Sequence, residues 1–260
     1  MPRLIRIALV GDSSVADNPP DVFQRGWGQM LRLCFTRESV EVFNFARNGR
    51  SSKSFITEGL WTQVLAMNPR PDVVLIHIGA NDIPGKRIER ETLPGVVPAV
   101  LPASGLGASP LDWYRLNLKR FIDGSRTMGA RAVLATQMER HEFESFSATP
   151  ICRNKLYAQA VREVARELET PLIDLQAYSL ELFTRYGVLG TQTMHHVRPD
   201  GEIDHSHFNP FGASIYAERV AGELIALFPE LAAADCRPTP GGESRLVADH
   251  SVTEAVVGKA

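Results

Sequence analysis

Residues Ile5-Arg6-Ile7-Ala8-Leu9-Val10 run directly into Gly11-Asp12-Ser13-Ser14. Five of the first six are apolar, and they do not alternate with polar residues as a half-exposed strand would. That pattern reads as a strand buried on both faces, the kind found in parallel sheets covered by helices. The strand stops at Gly11, which permits a sharp turn, and at Asp12 and Ser13, which suit a turn or a helix start. A buried parallel strand therefore ends by holding a hydroxyl at its carboxyl end. In open α/β sheets that edge is where ligands bind, which makes Ser13 a candidate nucleophile.

The remaining pattern repeats this theme. Residues 40–46, 72–78, 131–136 and 171–175 read as four further strands. Helical spacing predicts helices starting near Trp27, over 51–67, 111–128 and 154–169, from 175 to about 186, and from Pro210 to about 228. Strands alternating with helices imply an α/β fold, because right-handed crossovers place helices on both faces of a parallel sheet. The expected architecture is a three-layer, flavodoxin-like, doubly wound five-stranded parallel sheet in the order 2-1-3-4-5. In that order strands 1, 2 and 3 are neighbours, so Ser13, Gly49 and Asn81, which follow them, meet around one crevice.

At 260 residues, with 44% hydrophobic and 22% charged residues, the chain suits one large domain with a full core. We expect that domain over 1–235 and a loose tail over 236–260. Twenty-eight basic against thirty acidic residues favour neither nucleic acid nor an anionic membrane as partner. The first strand begins a few residues after Met1, leaving no room for a leader. The expectation is thus a cytoplasmic protein as written, or a secreted one supplied without its leader. Cys34, Cys152 and Cys236 lack metal-ligand spacing and are expected reduced, two of them on helices. Residues 83–110 contain five prolines and four glycines. So long and breaker-rich a segment is either an active-site wall or a mobile insertion.

A serine hydroxyl is a poor nucleophile until a base removes its proton, and the base is usually a histidine oriented by a carboxylate. Just before the last helix stand Asp204 and His207, three residues apart, so that one turn brings carboxylate and imidazole together. Acyl transfer also needs donors for a developing oxyanion. The candidates are the backbone N–H groups of Ser13 and Gly49 and the side-chain amide of Asn81. Asp12 and Asp82 read as structural, and His77 as a core histidine. Arg47, Arg50, Lys53, Arg140 and Arg198 are either solvated charges or ligands for an acidic sugar. Trp61 and Trp113 are either packing residues or surfaces for sugar rings. His195, His196, His205 and His207 invite a metal site, but no second set of ligands completes one; His195 and His196 are either pocket-lining or solvent-exposed loop histidines. No glycine pattern supports a dinucleotide site.

At these residues the chain resembles a known family. Gly11-Asp12-Ser13, Asn48-Gly49-Arg50, Gly79-Ala80-Asn81-Asp82 and Asp204-His205-Ser206-His207 are similar to the four blocks of the SGNH (GDSL-type) hydrolases. Gly26-Trp27-Gly28-Gln29, the run from Ala46 to Ser54 and the ending Phe208-Asn209 bring it nearest the rhamnogalacturonan acetylesterase branch. Ala80 stands where that branch usually carries histidine. The resemblance implies Ser13 as nucleophile, His207 as base, Asp204 as its orienting partner, and Ser13, Gly49 and Asn81 as the oxyanion hole. It further implies a shallow site for small acyl groups on carbohydrates, with no metal or cofactor. Arg50, Arg140 and His196 are the candidate substrate-binding residues, and the expected substrate is a small-molecule or oligosaccharide acyl ester. Two rivals remain: a thioesterase or lipase-like member acting on longer acyl chains, and a non-catalytic carbohydrate-binding protein.

Overall fold

A computed structural model describes residues 3–36, 38–83, 109–145 and 147–231. Most of the breaker-rich stretch 83–110, and the whole 236–260 tail, lie outside the described residues. Strands β1 (Ile5–Gly11), β2 (Val40–Asn44), β3 (Val73–His77), β4 (Arg131–Ala135) and β5 (Leu172–Ile173) form one sheet in the order β2-β1-β3-β4-β5. Every pairing in it is parallel. This is the expected sheet and order.

Continuous apolar strands work here because the two faces feed two separate cores. Ile7, Leu9, Val73, Leu75 and Val133 point to one side, where they meet helices α1 (Trp27–Leu31), α6 (Leu175–Gln192) and α7 (Pro210–Leu227). Ala8, Val10, Val74, Ile76 and Leu134 point to the other. There they meet α2 (Ser52–Thr57), α3 (Leu60–Leu65), α4 (Pro110–Thr127) and α5 (Lys155–Glu167). Alternation along each strand thus sorts side chains between two apolar layers rather than between core and water.

Four expectations need correction. The helix read over 51–67 is two short helices, because Gly59 takes a left-handed φ of 79° between them. The fifth strand is only two residues long, and α6 continues to Gln192 past a non-helical Gly187. The polar stretch before α7 forms an unforeseen antiparallel pair, β6 (His195–Val197) with β7 (Ile203–Phe208). Cys34 and Cys152 both lie outside helices.

Candidate active site

The turn after β1 is built by close approach. A Cβ on Gly11 would stand 2.6 Å from Val15 Cγ2 and 2.9 Å from the His77 carbonyl oxygen, so only glycine lets the chain fold back here. Asp12 then braces the turn. Its Oδ1 accepts the Ser14 N–H at 3.0 Å and the Ser14 hydroxyl at 2.7 Å, and its carbonyl accepts the N–H groups of Val15 and Ala16. Between Gly11 and Ala16 only Ser13 is partly exposed.

The partners of Ser13 come from β7. Between the pairs His195–Phe208 and Val197–Ile203, a step of two residues in β6 faces a step of five in β7. The extra length bulges out, and it carries Asp204 to His207. Asp204 Oδ1 accepts the N–H groups of Ser206 (2.9 Å) and His207 (3.2 Å), closing the bulge on itself. His207 Nδ1 donates to Asp204 Oδ2 at 2.7 Å, and its Nε2 accepts from the Ser13 hydroxyl at 3.0 Å. A carboxylate, an imidazole and a hydroxyl thus stand in series across 194 positions of sequence. Partial burial alone would raise the Asp204 carboxyl. The hydrogen bonds from the His207 ring and from the two backbone N–H groups outweigh that and hold it well below the usual carboxylate range. In this arrangement the imidazole is oriented by a carboxylate that stays ionised, and its free nitrogen faces the hydroxyl.

Asn81 follows β3 in a turn closed by Asp82 N–H on the Gly79 carbonyl at 3.0 Å. Gly79 has φ of 147°, and a Cβ there would meet Gln137 Nε2 at 2.4 Å. One N–H of the Asn81 amide donates to the Arg50 carbonyl at 3.2 Å, which leaves the second for a ligand. Asp82 is fully buried. Its carboxylate takes the Ser52 N–H (2.8 Å) and hydroxyl at the start of α2, while Tyr157 donates to its carbonyl at 2.9 Å. Asn117 Nδ2 completes this bracing by donating to Ser52 Oγ at 2.9 Å. Gly49 sits at the same sheet edge with φ of 76°, its turn tied to β1 by Arg47 N–H on the Gly11 carbonyl.

Ser13, Asn81 and His207 open onto a cavity of about 210 Å³. Gly49 is not among its lining residues. Sequence reasoning missed most of the opposite wall, which consists of Gln137, Met138, Glu139, Arg153 and Asn154. Burial pushes the Glu139 carboxyl up, although Asn154 N–H and Gln176 Nε2 donate to it. Of the three candidate substrate-binding residues, Arg140 lines the cavity, where it and Arg153 share Glu142 at 3.0 and 2.6 Å. Arg50 instead pairs with Glu58 at 2.8 Å, and His196 rests against Phe23 outside the cavity.

The other histidines are structural neighbours. His195 is buried beside His141, its Nδ1 on the Asp204 carbonyl at 3.2 Å, and burial lowers it to about 3. His77 lies edge-on to Trp27 beneath the cavity, and burial lowers it to about 4. Among the described residues no three His, Cys, Asp or Glu side chains converge as a metal ion would require. Trp61 and Trp113 are buried packing residues. No helix among the described residues is long and apolar enough to cross a membrane.

A doubly wound sheet whose first turn presents a serine, with Asn81 and His207 beside it, defines a class of acyl-transferring hydrolases. The chain belongs to the GDSL-like lipase/acylhydrolase family, whose profile matches residues 9–215. It is 30% identical to the rhamnogalacturonan acetylesterase RhgT of Bacillus subtilis strain 168, over 85% of this chain and 90% of that protein. It is 32% identical to the probable rhamnogalacturonan acetylesterase YesY of the same strain, over 83% and 90%. Its fold matches the crystal structure of B. subtilis YxiM with a TM-score of 0.68 at 24% identity, over 86% of this chain and 57% of that one.

Proposed function

We propose that the chain is a serine esterase that removes short acyl groups, acetyl foremost, from a carbohydrate. The observation that carries this reading is the 3.0 Å contact between Ser13 Oγ and His207 Nε2, with Asp204 behind the imidazole. Ser13 attacks the acyl carbon while His207 Nε2 takes the hydroxyl proton. The tetrahedral oxyanion rests on the Ser13 N–H and the Asn81 amide, the expected donors that line the cavity. Its collapse expels the sugar oxygen, which leaves with the proton from His207. Water then attacks the acyl-serine, His207 again takes the proton, and the carboxylic acid departs with Ser13 restored.

Short acyl groups suit the small volume of the cavity, about 210 Å³. The carbohydrate part of the reading draws on the similarity to RhgT and YesY. Arg140 and Arg153, which line the cavity and share Glu142, are the groups that would meet the carboxylate of an acidic sugar. The test compares acetyl with octanoyl aryl esters and measures acetate released from acetylated pectin, xylan and amino-sugar polymers. The acetyl ester is expected to turn over faster and at least one polymer to release acetate. Faster turnover of the octanoyl ester, with no acetate from any polymer, overturns the reading in favour of a lipase-like enzyme.

A further inference from the structure

Asp204 and His207 stand on a bulge, the part of a strand that its ladder does not hold, because the extra residues have no partner across the pair. Asp204 Oδ1 ties the bulge internally through the N–H groups of Ser206 and His207. From outside, His195 Nδ1 donates to the Asp204 carbonyl at 3.2 Å. A further pair of contacts belongs to His205. Its carbonyl accepts the His141 N–H at 2.9 Å, and its Nδ1 donates to the His141 carbonyl. That carbonyl can only accept, so Nδ1 carries the ring proton. One hydrogen bond is a pivot, and a second between the same two residues stops rotation about it. The two rings also stack, with centroids 5.8 Å apart and 19° between their planes.

The anchor for this clasp is itself fixed. His141 is buried, and its Nε2 donates toward the Val188 carbonyl and the Thr191 hydroxyl near the end of α6, each at 3.1 Å. Thr191 in turn donates to the Gly187 carbonyl at 2.6 Å. Arg140, the residue before His141, lines the cavity, so the clasp joins the bulge to the segment that forms the opposite wall. Neither His141 nor His205 lines the cavity, so an effect of either on the reaction passes through the groups it holds.

We propose that His205 is a positioning residue, whose two-point clasp on His141 holds the bulge so that His207 Nε2 stays within reach of the Ser13 hydroxyl. The inference rests on the serine esterase reading and adds what keeps its base in register with its nucleophile. Asp204 and His207 are bonded to each other within the bulge, so loosening the clasp shifts the two together against Ser13. A reacting group displaced by about 1 Å can cost about 10²-fold in rate, even when the change that moves it lies outside the chemistry. His205 is exposed, so replacing its side chain opens no hole in the core.

The test measures kcat and KM for 4-nitrophenyl acetate, the rate at which a fluorophosphonate labels Ser13, and the melting temperature, in wild type, His205→Ala and His205→Asn. Asparagine is the conservative variant, because its Nδ2, like the histidine Nδ1, is bonded to Cγ and can donate to the same carbonyl. His205→Ala is expected to lower kcat by about 10- to 100-fold with KM little changed, and to slow labelling by a similar factor. His205→Asn is expected to recover most of both. An unchanged kcat overturns the clasp, and so does a loss confined to KM, which would make His205 a substrate-binding group. His205→Asn as slow as His205→Ala overturns it too, as does a lowered melting temperature with kcat intact, which would leave His205 a purely structural role. Failure of the underlying reading looks different: Ser13→Ala would then turn over 4-nitrophenyl acetate at near the wild-type rate. Where Ser13→Ala is inactive and His205→Ala is as fast as wild type, the clasp alone falls.

Discussion

In the proposed mechanism Ser13 differs from its neighbours in having its hydroxyl turned to the base. Asp12 is committed to Ser14 and to the turn, whereas the Ser13 hydroxyl has His207 as its partner. The same contrast applies to Asn81, whose amide spends one N–H on Arg50 and keeps the other. Removing that donor in Asn81→Ala should lower kcat on the order of 10²-fold with little change in KM. Steady-state kinetics on 4-nitrophenyl acetate decide it, and a loss confined to KM would make Asn81 a ground-state binder. Ser13, Asp204 and His207 were legible because each sits in a short block whose residue types announce a turn or a proton relay. Arg50 was not legible, since its partner Glu58 is set by how α2 packs and no local pattern shows that pairing. The wall from Gln137 to Arg140 was available in principle. It follows β4 at the same carboxyl edge that exposed Ser13 and Asn81, and the placement rule used for strands 1 to 3 extends to it.

At the scale of elements, the turns after β2 and β3 are fastened to each other through Ser52, whose hydroxyl donates to Asp82 and accepts from Asn117. All three side chains are buried. Ser52→Ala removes one hydrogen bond each from the buried Asp82 carboxylate and the Asn117 amide, which should cost about 1–3 kcal/mol in urea unfolding. Because Asn81 adjoins Asp82, kcat should fall while KM holds. Loss of stability with unchanged kcat would show that the bracing supports the fold alone. The β6–β7 pair escaped sequence reading for a physical reason. The bulge breaks the period of two, and a run of Asp, His, Ser and His has little strand propensity of its own. The break between α2 and α3 is more ordinary: helical spacing continues across Gly59, but its left-handed backbone does not.

For the whole molecule, the sheet order was legible because buried strands alternating with helices leave few right-handed solutions. Two histidines are also buried, His77 on the parallel sheet and His195 on β6, held near 4 and 3 against an ordinary 6.5. Below about pH 6.5 the unfolded chain binds protons that the fold refuses, so stability falls as pH drops toward 4. Asp204 adds a loss at lower pH, since a depressed carboxyl stabilises the fold above its unfolded value and ceases to as pH passes through the folded one. The melting temperature should therefore decline steadily between about pH 6.5 and 4, and His77→Gln should flatten part of the slope. A melting temperature constant over that range would contradict the burial of these rings. The proposed chemistry joins a hydroxyl at the first strand to an imidazole near the last helix, and covalent labelling tests that junction. After reaction with a fluorophosphonate, peptide mass spectrometry should find the adduct on Ser13 in wild type, none in Ser13→Ala, and labelling slowed at least about 10²-fold in His207→Ala, the scale of a lost general base. An adduct on another residue, or full labelling speed without His207, would contradict the account.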